Sequence, residues 1–384
     1  MASSRLRRIN PAFLRRVDER TFTDNERMIL DMVRHQGPIS RAEMSRNTNL
    51  TMQSVVRLVD GLIDRGLLKA GDRVVRGPGQ PSRSIHLVAD AAFAYGVSIM
   101  SDAVSVVLMD LSGRIHASAI HAVDIPVRRT VVEHVKKIFK KLAGDAGVRR
   151  ERIFGVGVAT TGYFVGNAEV NPPAAMEEWA LVDLEEQLAE AFDLPVWVEN
   201  DGSAAAVGES LFGAGQRYRN FVYIYIAAGL GGGLVVDGRL VRGFRGNAGE
   251  LTGILPLDKR ADRPTLSLLL KLIRERGVKI ETITELVRKF DPSWPGVETW
   301  LERTGGPCSA ILSAIAAIVD PEAIIIGGRV PSALARALAE RSTYFSSPLR
   351  GRERPFPALL AAEVKGDAAA LGAASIPLKE HFFG

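Results

Sequence analysis

Apolar residues recur at helical spacing twice between Ser40 and Leu68, on either side of a polar turn at Asn47-Thr48-Asn49. Ser40 and Glu43 have the spacing of a capping box: the hydroxyl can accept an orphan amide proton while the carboxylate reaches back to the N–H of the cap. Ile39 and Met44 are placed to clasp that helix start, and Thr51, with Leu50 and Val55, repeats the device. In the second helix Val55, Leu58, Val59 and Leu62 predict a core-facing stripe, so Gln53, Ser54 and Arg57 project from the other side. Gly66 is suited to end this helix in a left-handed cap. An earlier run, Met28, Ile29, Met32 and Val33 after Asp24-Asn25, predicts a supporting helix that stops before Gly37-Pro38. Downstream, an apolar pair at Leu67-Leu68, a turn at Gly71-Asp72, the run GPGQPSR and alternation over 84–88 predict a β-hairpin with a basic, Gly/Pro-rich tip.

Beyond residue 90 the period changes. Short strands are predicted at 95–100, 105–110 and 115–120, a helix from about 130 to 146, and a buried strand at 153–159. A second unit begins at 221–226, turns through 228–233, returns along 234–236 and reaches another buried strand at 323–326. A meander followed by helix and strand, occurring twice, predicts a duplicated α/β architecture with a cleft between two lobes.

The length of 384 residues fits two or three domains. The boundaries expected are a basic arm over 1–23, a winged helix-turn-helix over 24–89, and a carboxy-terminal α/β domain over 90–384, to which the family resemblance given below assigns an effector and dimerisation role. The junction near Asp90-Ala91-Ala92 leaves no long linker, so the two modules should be coupled. The single cysteine, Cys308, excludes an internal disulfide and fits a reducing, cytoplasmic setting. No run of about 18 apolar residues suggests a membrane span.

Charge adds to this picture. Residues 1–90 hold 16 lysines and arginines against 10 acidic residues, while the remainder holds 33 against 34. The excess positive charge therefore lies on the segment with the paired helices, as neutralisation of a phosphate backbone requires. Arginine-rich termini also serve as plain solubilising tails, and capped helix pairs occur in proteins that never touch DNA. The expected contacts to double-stranded operator DNA are Ser40, Arg41, Thr51, Gln53, Ser54 and Arg57 on the helices, with Arg76 and Arg83 on the wing.

Three motifs fall at the predicted cleft. Val198-Glu199-Asn200-Asp201 runs from a strand end into a helix start, where an Asp can take a proton or hydrogen bond from a substrate hydroxyl, or simply cap the helix. The glycines of 229–233 could bring backbone amides to a phosphate, or make a tight hairpin. Gly246-Asn247-Ala248-Gly249-Glu250 sets a carboxylate in a glycine-rich loop, fit for sugar hydroxyls or for an exposed turn.

The runs GPISRAE, VENDGSAAAVGE, AAGLGGGLVVDGRL, GNAGEL and IIIGG, in this order, resemble the ROK family of repressors, open reading frames and sugar kinases. The resemblance implies an actin-like (ribonuclease H-like), two-lobed sugar-kinase fold, dimeric or a dimer of dimers. It also implies that Asn200, Asp201 and Glu250, with Asn171, contact a sugar, Asp201 standing in the position of a kinase's catalytic base. The departures shape the expected function. Family kinases carry an Asp-x-Gly-Gly-Thr phosphate turn in the first hairpin; here Tyr95-Gly96-Val97-Ser98-Ile99 stands instead. A family zinc site uses a histidine and clustered cysteines; here Gly253 stands in the histidine's place, 258–264 replaces the cysteine loop, and no metal is expected. Ser203 stands where the family often has Asn. The expectation is a DNA-binding transcriptional regulator, a repressor, controlled by a sugar or sugar derivative, with no catalytic residue and no cofactor. The rival readings are an ATP-dependent sugar kinase with an accessory DNA-binding domain, and a ligand-independent regulator that uses its carboxy-terminal domain only for dimerisation.

Overall fold

The computed structural model describes residues 22–74, 82–123, 126–166 and 168–383. The amino-terminal head consists of helices α1 (Asp24–Gln36), α2 (Arg41–Arg46) and α3 (Met52–Asp64) with strands β1 (Ile39–Ser40), β2 (Leu68–Val74) and β3 (Ser82–Leu87) in the order β1-β3-β2. Both predicted caps form. Ser40 and Glu43 make the reciprocal capping box, and the Thr51 hydroxyl accepts from Ser54 N at 3.2 Å. Helix α1 is capped by Thr23, which forms a third capping box with Glu26. Gly66 sits at φ +71°, the left-handed position expected after α3. The turn expected at Gly71-Asp72 is instead an irregularity within β2, between Ala70 and Arg73. A side chain at Gly71 would collide with His86 and Ser84 on β3, so its glycine permits close strand approach rather than reversal.

Two five-stranded sheets follow. The first is built from β4 (Phe93–Ile99), β5 (Ala103–Asp110), β6 (Ile115–Ala122), β7 (Ile153–Thr160) and β10 (Val196–Asn200), in the order β10-β7-β4-β5-β6; the small hairpin of β8 (Tyr163–Phe164) and β9 (Val170–Asn171) lies beside it in sequence. The second is built from β11 (Phe221–Ile226), β12 (Leu230–Val236), β13 (Arg239–Val241), β14 (Ala323–Gly328) and β15 (Ala358–Ala361), in the order β13-β12-β11-β14-β15. Numbered from its own first strand, each sheet reads 3-2-1-4-5. In each, strand 1 runs antiparallel to strand 2 and parallel to strand 4. The duplication predicted from the pattern is thus one topology used twice.

Helices α4 (Arg128–Asp145) and α5 (Leu184–Phe192) cover the outer face of the first sheet, where Tyr95, Val97, Ile99, Val156 and Val158 meet Val135, Ile138 and Leu188. Helices α7 (Leu266–Arg274), α8 (Ile283–Lys289), α9 (Val297–Ile318) and α10 (Ser332–Arg341) lie over the second sheet's outer face. Between the sheets lie α6 (Asp201–Phe212) and α11 (Ala368–Phe382), and their connections cross: α6 follows the first sheet and packs on the second, while α11 follows the second and packs on the first. This demands small residues. A Cβ on Gly372 would lie 1.7 Å from Ala204 O, and one on Gly96 would lie 2.0 Å from Ala370 O. The runs Ala204-Ala205-Ala206 and Ala368-Ala369-Ala370 satisfy the same need for close approach.

Candidate functional site

The head presents Gln53 and Arg57 as exposed residues of α3, with Arg83 exposed on β3. Val55, Val59 and Leu62 are fully buried beneath them, so the predicted two-faced character of α3 is present. Other predicted contacts already have structural work. The Ser40 and Thr51 hydroxyls cap α2 and α3, and Thr51 Oγ1 also donates to Ser54 Oγ at 3.0 Å. Arg41 pairs with Asp60 at 2.5 Å, tying the start of α2 to α3. Arg76 and the wing tip lie outside the described residues.

The head is fastened to the first lobe by a continuous core. Ile29, Leu30, Val33, Met44 and Leu62 belong to the same apolar cluster as Met109, Phe154, Leu371, Leu378 and Phe382. Phe382, the last residue of α11, is fully buried, its ring 5.2 Å from Phe22 of the head and 4.8 Å from Phe154 of β7. The Arg65 guanidinium stacks over Phe22 at 3.9 Å, Arg34 covers Phe383 at 4.6 Å, and Arg27 donates to Glu380 O at 3.1 Å. The sequence offered little warning of these contacts, because an aromatic pair at a carboxy terminus has no period of its own.

In the cleft, Asn200 rather than Asp201 caps α6: its Oδ1 accepts from Gly202 N (2.9 Å) and Ser203 N (3.1 Å), and its Nδ2 donates to Gly162 O (3.0 Å). Asp201 is buried as the first residue of α6. Desolvation pushes its carboxyl up to about 7, against hydrogen bonds from Gly202 N and Thr161 and with help from the charges of Glu250 and Asp367. Glu250 is exposed at the end of its loop, and partial desolvation raises its carboxyl too. Asn171 donates to the Tyr163 hydroxyl at 2.7 Å on the β8–β9 hairpin, and Gly162, just before β8, accepts from Asn200.

A stability consequence follows from Asp201. The folded chain holds this proton up to about pH 7, whereas an ordinary aspartate releases it near 3.8. Its contribution is therefore fully present at low pH and is lost as pH rises through that window, by up to about 4 kcal/mol. In urea unfolding between pH 5 and pH 8, Asp201→Asn should flatten the decline seen in the native protein; an unaltered slope would show that Asp201 ionises freely.

Of the two readings of the glycines at 229–233, the structure forms the tight hairpin, with Ile226 paired to Leu230 across it. Strand β12 begins at Leu230, so Gly231, Gly232 and Gly233 are paired strand residues opposite Tyr225, Ile224 and Tyr223. Their lack of side chains admits α6: a Cβ on Gly232 would meet Tyr223 O and Leu251, and one on Gly233 would lie 2.6 Å from Ala206 Cβ.

Three contacts strap the lobes together, and none was foreseen. At the Asn200 end, Arg242 Nε donates to the buried Glu199 carboxylate at 2.6 Å. Beside it the Asn247 side chain donates to Phe164 O and accepts from Phe164 N at 2.8 and 2.7 Å. At the other end Asp102, in the turn between β4 and β5, pairs with Arg329 after β14 and accepts from the backbone and hydroxyl of Thr284 on α8, both at 2.8 Å. Burial opposes ionisation of Asp102, but Arg329 and Thr284 overcome it and hold the carboxyl below its ordinary value.

A model of the ROK family matches residues 94–263. The uncharacterized protein y4fQ of Sinorhizobium fredii is 32% identical over 370 residues, covering 94% of this chain and 92% of that protein. The xylose repressor of Bacillus spizizenii is 26% identical, over 93% of this chain and 95% of its own. Among solved structures, a ROK family transcriptional regulator described as a homologue of the Escherichia coli MLC protein superimposes with a TM-score of 0.69 at 20% identity, covering 94% of this chain and 96% of that one. A ROK family glucokinase from Streptomyces griseus, in complex with glucose and AMPPNP, gives 0.60 at 24% identity, covering 74% of this chain and 99% of its own. The paired sheets, crossed helices and central cleft define a two-lobed protein of the actin-like, sugar-kinase fold. The chain belongs to the ROK family. Among its described residues no helix is long and apolar enough to cross a membrane.

Proposed function

We propose that this protein is a sugar-responsive transcriptional repressor acting on DNA in the cytoplasm. The observation that carries this reading is the unbroken core joining the helical head to the lobe that bears Asn200 and Asp201. A change in lobe angle then moves the head instead of being lost in a linker. The name of the similar Bacillus repressor supports the same reading. Gln53, Ser54 and Arg57 would read base edges in the major groove, with Arg83 and Arg76 contacting phosphates. Asn171, Asn200, Asp201 and Glu250 would face the sugar. As a homodimer or a dimer of dimers, the protein would set paired heads in successive major grooves, and the operator would be roughly palindromic. A sugar shifts DNA affinity only in proportion to its differential affinity for the two lobe arrangements.

Kinase activity is the second reading, favoured by the placement of Asp201 at the head of α6. Against it stand Ser98 in the first hairpin and the glycines of β12, which are taken up in strand pairing. Phosphoryl transfer depends almost wholly on positioning and neutralising phosphates, and a coupled ATPase assay with a panel of hexoses is expected to show no turnover.

The DNA assignment is tested by gel shift on fragments selected by the purified protein. Arg57→Ala and Gln53→Ala should each weaken selected sites by about 5- to 150-fold while sparing random duplex. Arg83→Ala should weaken all sequences alike. An Arg57→Ala protein that shifts its operator normally would remove α3 from the interface.

A further inference from the structure

A groove of about 440 Å³ lies between the head and the second lobe. One wall is the face of α1 that the core leaves over. Asp24, Met28, Asp31, Met32 and His35 share it at helical spacing, while Ile29, Leu30 and Val33 on the other side are buried. The second lobe contributes Arg239, the first residue of β13, to the groove. Charges of opposite sign therefore line it from two bodies. Arg239 and Asp24 are exposed and form no ion pair among the described residues. Asp31 spends Oδ1 on Arg34 (2.9 Å) and His35 (3.3 Å), and its Oδ2 makes no hydrogen bond among them. Lys379, near the end of α11, feels both walls. Desolvation and the charges of Arg242 and Arg239 hold its ammonium below the ordinary value, and Asp31 opposes them.

Arg239 is carried rigidly by its own lobe. It follows a tight turn, Asp237-Gly238, with both residues at positive φ. Asp237 N donates to Asn220 Oδ1 at 2.9 Å, and Gly238 N donates to Arg219 O at 2.8 Å. Glu322 in turn accepts from Arg219 N and Asn220 N at 2.9 and 2.7 Å. The turn thus moves with the second sheet. From it β12 runs back to the cleft, where Gly233 packs on Ala206 of α6. The chain beyond β13 reaches Arg242 on Glu199, Asn247 on Phe164, and then Glu250. One hairpin therefore has its turn near the head and its other end at the cleft.

We propose that this hairpin is the contact through which the second lobe acts on the head. A sugar held between Asn200 and Glu250 draws the second lobe toward the first, the groove closes, and Arg239 pairs with the carboxylates of Asp31 and Asp24. The Phe382 core fastens the head to the first lobe; the Arg239 contact lets the second lobe pull on α1 as well, and so turns the head out of its DNA-binding orientation. Because the pair forms only when the groove is closed, it shifts the balance between the two lobe arrangements and leaves the open one unaltered. The inference rests on the sugar-sensor reading above and adds to it the residues that transmit the signal.

The test uses the full-length protein, DNA fragments selected by it, and D-xylose, D-glucose and N-acetyl-D-glucosamine. One of these sugars is expected to lower the DNA affinity of the native protein. Arg239→Glu should bind DNA as the native protein does without sugar, but about 3- to 5-fold more tightly than it at saturating sugar, the scale of an exposed ion pair. Calorimetry should show its sugar affinity reduced by the same factor, because both measurements read one equilibrium. Arg239→Lys, which keeps the charge, should behave as native. Groove width is read by pulsed EPR between spin labels on Gln36→Cys, in the groove, and Val236→Cys, paired with Arg239 in the hairpin; Cys308 is buried. The distance should shorten with the sugar. An Arg239→Glu protein that responds to the sugar as fully as the native one overturns this inference and keeps the sensor reading. So does a label distance that the active sugar leaves unchanged or lengthens. A native protein whose DNA affinity falls with none of the three sugars overturns both.

Discussion

Phe382→Ala is expected to lower the unfolding free energy by about 3–5 kcal/mol, the usual cost of emptying a fully buried phenylalanine site. The ring is 0% exposed and lies between Phe22 on the head side and Phe154 in the first sheet. Its loss removes apolar contact from both at once and leaves a void at the joint between head and lobe. Local unfolding should then concentrate in the head. Hydrogen exchange over α1 should quicken, while β11 and β14, buried in a separate core, keep their protection. Any sugar effect on DNA affinity should shrink, because lobe motion would no longer be carried rigidly into α1 and α3. Denaturant titration and exchange mass spectrometry check both parts. A cost under about 1 kcal/mol, or unchanged protection over α1, would mean that the head is held by something other than the end of α11.

Arg329→Ala is expected to cost about 3 kcal/mol or more, since removing one member of a largely buried ion pair leaves the other charge without compensation. Side-chain exposure is 12% for Arg329 and 15% for Asp102, so solvent screening is limited. Only the Thr284 donors would remain to hold the Asp102 carboxylate. The Asp102 carboxyl lies below its ordinary value of 3.8 in the folded chain, so the bridge stabilises above that pH and its contribution is lost as pH falls through the depressed value. Arg329→Ala should weaken that acid dependence. Because Asp102 belongs to the first lobe and Arg329 to the second, the variant should also widen the distribution of lobe angles in X-ray scattering. A double-mutant cycle with Asp102→Asn isolates the pair; a coupling energy near zero would deny it a role in holding the lobes.

Much of the local structure could be read from the residues. Ser40 with Glu43, Thr51, Gly66 and the Val55-Val59-Leu62 stripe act within one or two turns, where hydrogen bonding and helical period do not depend on the rest of the chain. The meanders and buried strands were legible for the same reason. The glycine run at 229–233 left a phosphate turn and a hairpin both open, because a glycine's use is set by what approaches it: here a hairpin forms and α6 and Leu251 pack on its glycines. Arg41 looked like a free cation until Asp60, on the next helix, came within 2.5 Å.

The cleft divides in the same way. Asn200, Asp201 and Glu250 stood out because each ends or begins an element beside glycine or small residues. Asp102, Arg329 and Arg242 did not, because their partners lie tens to hundreds of residues away and the sequence gives no sign of such pairs. By itself the sequence determined the capped helices of the amino-terminal head, a duplicated α/β unit and a family kinship, all consequences of short-range period and motif. Only the tertiary structure decided that α6 and α11 cross between the lobes, that Phe382 joins the head to them, and that Asp102 meets Arg329 across the lobes. Those features are set by burial and long-range packing, which no stretch of the chain contains alone.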